Sequence, residues 1–219
     1  MKDLKILITA VGSPGSATNI KYLKEIKERK LFLIGTDLNH DKVGKYLCDK
    51  FYTVPKGEDE NFIPRLLEII KKEKPDVLFP QSSSEVIPLS QNKDILEKEG
   101  VKVLISSEKA VYEAENKAEL YKSLKGSPVK IPKFRIVNNL SDFLDAVKAL
   151  GYPKTPVCFK PPISKGTRGF RILRDDVSRK HALLHERPIN RFISINEFKE
   201  IFENDPDFPE LLVMEFVEG

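Results

Sequence analysis

Short apolar runs of strand length alternate with amphipathic stretches of helix length through the first half of the chain. No other feature restricts its fold as much. Lys5-Ile6-Leu7-Ile8-Thr9-Ala10-Val11 ends at Gly12, and Leu31-Phe32-Leu33-Ile34-Gly35 runs into Thr36-Asp37. Near-continuous apolar runs of this length are what strands buried on both faces require. Between them Gly12-Ser13-Pro14-Gly15-Ser16 reads as a turn, and Ile20, Leu23 and Ile26 fall at helical spacing within residues 17–29. Strand, glycine turn, helix and strand together have the size of a parallel βαβ unit. The alternation continues with strands predicted at Phe51-Tyr52-Thr53-Val54, 76–80 and 101–105, and with helices at 62–72 and 86–98. The fold class expected is α/β, an open, mostly parallel sheet with helices on both faces.

After Ser106-Ser107-Glu108, which reads as a cap before a helix running to 124, the pattern changes. Residues 126–132 read as loop, Phe134-Arg135-Ile136-Val137 as a strand and 140–150 as a helix stopped by Gly151. Pro156-Val157-Cys158-Phe159-Lys160 and Gly169-Phe170-Arg171-Ile172-Leu173 read as a hairpin around a polar loop. The segment 175–188 fits neither period, 194–203 reads as a helix and 210–217 as a strand. This half is expected to be α+β with antiparallel pairing. The boundary falls near Ser107, giving domains 1–107 and 108–219.

Composition removes several function classes. No run reaches the roughly 18 apolar residues of a membrane span, and the N-terminus lacks a signal-peptide pattern. Cys48 and Cys158 lie far apart and read as buried thiols in a reducing cytoplasm. The net charge of +4 is spread along the chain, and Lys21, Lys24, Lys27, Lys71 and Lys72 sit beside glutamates on helical faces. Neither nucleic acid nor membrane is expected as a partner.

The segment with the most chemistry is Phe159-Lys160-Pro161-Pro162-Ile163-Ser164-Lys165-Gly166-Thr167-Arg168-Gly169-Phe170. A strand presents Lys160 at its end, and a loop with two glycines, a serine and a threonine follows. Glycines let backbone N–H groups approach anionic oxygens, so such a loop can fold over a polyphosphate. Lys160 supplies a point charge there, to which Lys165 and Arg168 can add. A hairpin with a solvated basic loop explains the same residues. No Walker A pattern is present, because no helix opens on Gly-Lys-Ser/Thr.

The segment resembles the ATP-grasp superfamily, and more closely its members similar to the carbamoyl-phosphate synthase large chain. Those carry a lysine-proline strand end and a flexible Gly/Ser-rich loop closing in Ser-Arg-Gly, matched here by Thr167-Arg168-Gly169. Asn116-Lys117 resembles the Asp/Asn-Lys motif that opens the ATP-binding region, and Met214-Glu215-Phe216-Val217-Glu218-Gly219 resembles the strand that clamps adenine. The three matches occur in order behind the parallel domain. The resemblance implies a Rossmann-like, pre-ATP-grasp domain followed by an incomplete ATP-grasp domain. It implies that Lys117 and Lys160 bind phosphates, that Ser164, Lys165, Gly166, Thr167, Arg168 and Gly169 form a lid, and that Glu215, Phe216 and Val217 hold adenine. There the Glu215 carbonyl and the Val217 N–H pair with the base. The activity implied is an ATP-dependent carboxylate–amine (or carboxylate–thiol) ligase acting through an acylphosphate, with ATP and Mg²⁺ and with small carboxylate and amine substrates. The family's ribose-binding glutamate and its acidic and asparagine metal ligands follow the position of Gly219. The chain is therefore expected to lack the metal-binding segment and not to complete the reaction alone. A non-catalytic or split-enzyme nucleotide-binding module, completed by a partner chain, is the alternative; a homodimer is a further expected assembly.

Three other features carry rival readings. Gly12-Ser13-Pro14-Gly15 with Asp37 has part of a dinucleotide-binding pattern, which would make the chain an NAD-dependent oxidoreductase. Thr18 stands where the third glycine belongs, and Pro14 removes a loop donor. Gln81-Ser82-Ser83-Ser84-Glu85 lies at the sheet edge where ligands bind, but serine there also caps helices. His181 and His185 have the spacing of helical metal ligands without a third partner, and a solvated face explains them.

Overall fold

A computed structural model describes residues 3–164, 168–175 and 191–217. The chain divides into two compact units, Met1–Tyr112 and Glu113–Gly219.

In the first unit β1 (Leu4–Ile8), β2 (Leu31–Asp37), β3 (Lys50–Thr53), β4 (Val77–Phe79) and β5 (Lys102–Val103) form one sheet in the order β3-β2-β1-β4-β5. Every pairing is parallel. Because side chains alternate along a strand, Leu7, Ile34 and Leu78 point to one face. There they pack with Leu66, Ile69 and Ile70 of α3 (Phe62–Glu73) and with Leu89 of α4 (Ser83–Gln91). Ile6, Ile8 and Leu33 point to the other, where Ile20 of α1 (Ser16–Glu25) covers them. The strand order reverses direction between β1 and β4, which makes that edge the topological switch point of the sheet.

The predicted helix 86–98 starts earlier and is divided. Ser82 Oγ accepts from Ser84 N at 3.3 Å and starts α4 at Ser83, and Asn92 separates it from α5 (Lys93–Glu97). The four-residue helix α2 (Gly44–Leu47) was not expected from periodicity. A Cβ on Gly44 would lie 2.1 Å from the Val11 carbonyl oxygen, so only glycine fits where this helix meets the end of β1.

The second unit holds a five-stranded sheet of β6 (Phe134–Val137), β7 (Val157–Lys160), β8 (Arg171–Leu173), β9 (Phe192–Ile193) and β10 (Leu211–Glu215), in the order β6-β10-β7-β8-β9. The pairings are antiparallel except β8 with β9. One face is covered by α8 (Leu140–Ala149) and by the helix Ile195–Phe202. Phe143 and Phe198 stack there at 3.8 Å, and Phe159 meets Phe198 edge-on at 5.0 Å. The opposite face carries Cys158, Ile172, Leu212 and Met214, with Tyr121 packed against them.

The helix predicted to run unbroken to 124 is two helices, α6 (Glu108–Glu115) and α7 (Lys117–Leu124). Asn116 separates them in an extended conformation, and its Oδ1 accepts from Ala118 N at 3.1 Å and Glu119 N at 3.3 Å. An asparagine that caps the helix after it ends the one before it. Lys165, Gly166, Thr167, His181, His185, Glu218 and Gly219 lie outside the described residues.

Candidate nucleotide site

Asn116 makes Lys117 the first residue of α7 and directs it at the loop that follows β7. The Lys117 backbone N–H donates to the Pro162 carbonyl at 3.0 Å. Its ammonium reaches the Ser164 carbonyl at 3.0 Å, with Glu115 and Pro162 carbonyls at 3.4 and 3.5 Å. Lys117 therefore ties the α6–α7 break to the first residues of the loop. Its charge is met by these carbonyl dipoles.

Lys160 ends β7 on the same face as Cys158, as the two-residue period requires. Its ammonium lies 5.9 Å from the centre of the Tyr121 ring. Burial lowers its pKa from the usual lysine range, and the neighbouring Lys117 charge lowers it further. Two cations thus converge on the root of one loop. Of the loop, Ser164 is half-buried and Arg168 is exposed. Gly169 has φ +75°, and a Cβ there would lie 2.6 Å from Pro161 Cδ. Glycine is required at this position both by its backbone and by the close return of the chain onto Pro161.

The end of β10 forms the other border. Glu215 pairs with Val157 of β7, and its side chain turns away to Lys133: Oε2 accepts from Lys133 N at 3.1 Å and Oε1 faces the Lys133 ammonium at 3.2 Å. These contacts, the backbone donor first, hold its carboxyl below the usual carboxylate range. The Glu215 carbonyl accepts from the Cys158 thiol at 3.8 Å. Burial pushes that thiol up to about 11, so it is neutral. Phe216 N donates to Pro156 O at 3.1 Å, and Val217 is 70% exposed. The carbonyl at 215 and the N–H at 217, the pair expected to meet adenine, lie at and just beyond the end of β10. Beside them Cys158, Ile172, Leu212 and Met214 form a buried apolar cluster, with Phe134, Phe170 and Phe216 packed against it.

Lys117, Lys160, Ser164 and Gly169 thus share the loop root, and Glu215, Phe216 and Val217 share the strand end beside that cluster. Tyr121, which bears on Lys160, was missed from the sequence. Its signal was its place four residues after Lys117, hence on the same face of a helix. Among the described residues no group of three His, Cys, Asp or Glu side chains could hold a metal ion. No Mg²⁺ ligand is therefore assigned. A loop root with two neighbouring cations does fit a polyphosphate.

In the first unit, the glycine turn is explained by its own chain. Asp37 Oδ2 accepts from Gly12 N at 2.7 Å and Oδ1 from Asn39 N at 3.0 Å. A Cβ on Gly12 would lie 2.5 Å from Lys42 Cγ. Both carboxylate oxygens are thus already engaged, and the glycine accommodates Lys42 and Asp37. At the switch point the Thr9 hydroxyl donates to Glu85 Oε2; both residues are buried. Burial raises the Glu85 carboxyl to about 7 against the lowering effect of the Thr9 bond, and the Asp37 charge adds to the rise.

The family of PylC-like N-terminal domains matches residues 6–104. The carbamoyl phosphate synthase large chain of Thermotoga neapolitana is 31% identical over 127 residues, which are 53% of this chain and 11% of that protein. The N-terminal section of the corresponding large chain of Aquifex aeolicus is 28% identical over 128 residues, 56% of this chain and 21% of its own length. Among solved structures, an N5-carboxyaminoimidazole ribonucleotide synthetase in its ADP complex superposes with a TM-score of 0.66 at 15% identity, covering 98% of this chain and 47% of that one. The biotin carboxylase domain of the Hydrogenobacter thermophilus 2-oxoglutarate carboxylase gives 0.60 at 18% identity, covering 98% and 44%. The chain spans about half the length of these structures and a smaller share of the synthase large chains. The structural likenesses establish a shared fold, and the sequence matches add similarity to the synthase large chains over about half of this chain.

Proposed function

We propose that this chain, similar in sequence to carbamoyl phosphate synthase large chains and in fold to an N5-carboxyaminoimidazole ribonucleotide synthetase, binds ATP in its second unit for an ATP-dependent carboxylate–amine ligase of the ATP-grasp type. The observation that carries the reading is the convergence of Lys117 and Lys160 on the root of the loop, next to the end of β10. Lys160 meets the α- and β-phosphates with a partly desolvated charge, which is worth more than the same charge in water. Lys117 exchanges its loop carbonyls for phosphate oxygens, and the loop that begins at Ser164 borders the anion. The Glu215 carbonyl accepts from the exocyclic amine of adenine, and the Val217 N–H donates to a ring nitrogen.

In the reaction, a substrate carboxylate oxygen attacks the γ-phosphorus as the bond to ADP breaks. The amine nitrogen then attacks the acyl carbon of the acylphosphate and inorganic phosphate leaves. Exclusion of water by the closed loop protects that intermediate from hydrolysis. Mg²⁺, when bound, would neutralise phosphate charge in such a transfer.

Calorimetric titration with ATP tests the assignment. The chain binds, and Lys160→Ala weakens binding at least about tenfold, the loss expected for a charge-assisted phosphate contact worth roughly 1.5–3 kcal/mol. Equal affinity in both proteins contradicts it.

A further inference from the structure

Burial and Lys117 both act against the Lys160 charge. Among the described residues no carboxylate is placed to pair with it. A half-buried ammonium in that position needs negative potential from another source, and the face of an aromatic ring supplies it within about 6 Å. The Tyr121 ring centre lies 5.9 Å from Nζ.

The ring is itself held in place. Phe134 meets it at 5.3 Å and 65°, and the Tyr121 hydroxyl reaches Met214 Sδ of β10 at 3.7 Å. Its helix is fixed at the start by the Asn116 cap and by the Lys117–Pro162 backbone bond. Lys117 and Tyr121 stand at positions i and i+4 of α7, so one helix face presents both the second cation and the aromatic platform. The hydroxyl's contact with a thioether sulfur is weak, which leaves the ring face as the group that acts on Lys160.

We propose that Tyr121 is a positioning residue for Lys160, its ring face holding the ammonium at the root of the glycine loop in the place where a polyphosphate is bound. The identity of the anion rests on the nucleotide reading above; the placement of the ammonium by the ring does not. The assignment gives the ammonium a partner before any anion arrives. Less ordering remains for the anion to impose, and pre-organisation of that kind raises affinity.

A series of fluorinated phenylalanines at position 121, compared with Tyr121→Phe, separates ring electronics from packing because shape is nearly constant while the ring quadrupole is withdrawn. The pKa of Lys160 is read by NMR on ¹³Cε-lysine-labelled chain, and affinities for ATP and inorganic tripolyphosphate are read by calorimetry without metal. Tyr121→Phe is expected to stay within about twofold of the parent. Each added fluorine is expected to lower the Lys160 pKa and to weaken tripolyphosphate and ATP binding in parallel. Tyr121→Leu is expected to weaken both by about 3- to 30-fold, the range of a partly desolvated cation–π contact. A flat fluorination series overturns the proposal, as does a loss in Tyr121→Phe equal to that in Tyr121→Leu. Should Tyr121→Leu fail to fold, the fluorinated series decides alone. If the parent chain binds neither ATP nor tripolyphosphate, the nucleotide reading fails, and the Lys160 pKa across the series still decides the role of Tyr121.

Discussion

Replacing Glu85 by glutamine removes a charge from the switch point of the parallel sheet and keeps the side chain's shape and its hydrogen bond to Thr9. Glu85 is 5% exposed, and its carboxyl is raised from about 4.5 to about 7, first by burial. A carboxyl raised on folding holds a proton in the native state that the unfolded chain has already released. Between pH 4.5 and 7 the native state therefore binds more protons, and this group makes stability fall as pH rises. Over about 2.5 pH units, at 1.36 kcal/mol per unit, the loss approaches 3 kcal/mol and levels off above pH 7. The glutamine variant does not titrate. Near pH 4.5 the two proteins should have similar stability. At pH 8 the variant should be more stable by up to about 3 kcal/mol, with all other titrating groups cancelling in the difference. Urea unfolding followed by far-UV circular dichroism at half-unit pH steps measures that difference, and isotope-edited NMR of the Glu85 carboxyl carbon measures its midpoint directly. A difference constant from pH 4.5 to 8, or one that favours the parent at high pH, refutes the reasoning.

Glu73 should behave with the opposite sign. It is buried, accepts from Lys50 Nζ at 2.8 Å and from the Tyr52 hydroxyl, and its carboxyl is lowered by these bonds, Lys50 first. Its contribution is complete above the ordinary carboxylate range and is lost as pH falls through the lowered native value, so Glu73→Gln should flatten the acid limb of the stability profile. Because Lys50 is half exposed, neutral-pH destabilisation of about 1–3 kcal/mol is expected, short of a fully buried pair. Asn116→Ala removes the acceptor for Ala118 and Glu119 N–H groups, and thermal unfolding should show a loss of about 1 kcal/mol. Nucleotide affinity should drop in the same variant, since α7 carries Lys117.

Much of this architecture could be read from residue patterns, for reasons visible in particular places. The run from Lys5 to Val11 is apolar on successive residues because β1 lies at the centre of the sheet and is covered on both faces. Periodicity therefore identified it as a buried strand. Lys160 and Gly169 were legible because a strand end and a required glycine both leave local signatures. The break at Asn116 was not: 108–124 is apolar at helical spacing throughout, and the asparagine acts by capping α7 after ending α6, which spacing does not encode. Tyr121 was missed because its role depends on Lys160, 39 positions away in sequence, and on a cross-sheet neighbour, Met214. Asp37 followed a familiar pattern at the end of a second strand. Only the positions of the Gly12 and Asn39 amides reveal that its carboxylate serves its own backbone.

Amide NMR of the uniformly ¹⁵N-labelled chain during titration with ATP, and separately with NADH, addresses the central claim most directly. The account predicts that ATP shifts the amides of Lys117, Lys160, Phe216 and Val217, leaves those of residues 9–16 in place, and that NADH shifts neither set. ATP-dependent shifts confined to residues 9–16, or NADH-dependent shifts at Gly12 and Asp37, contradict it.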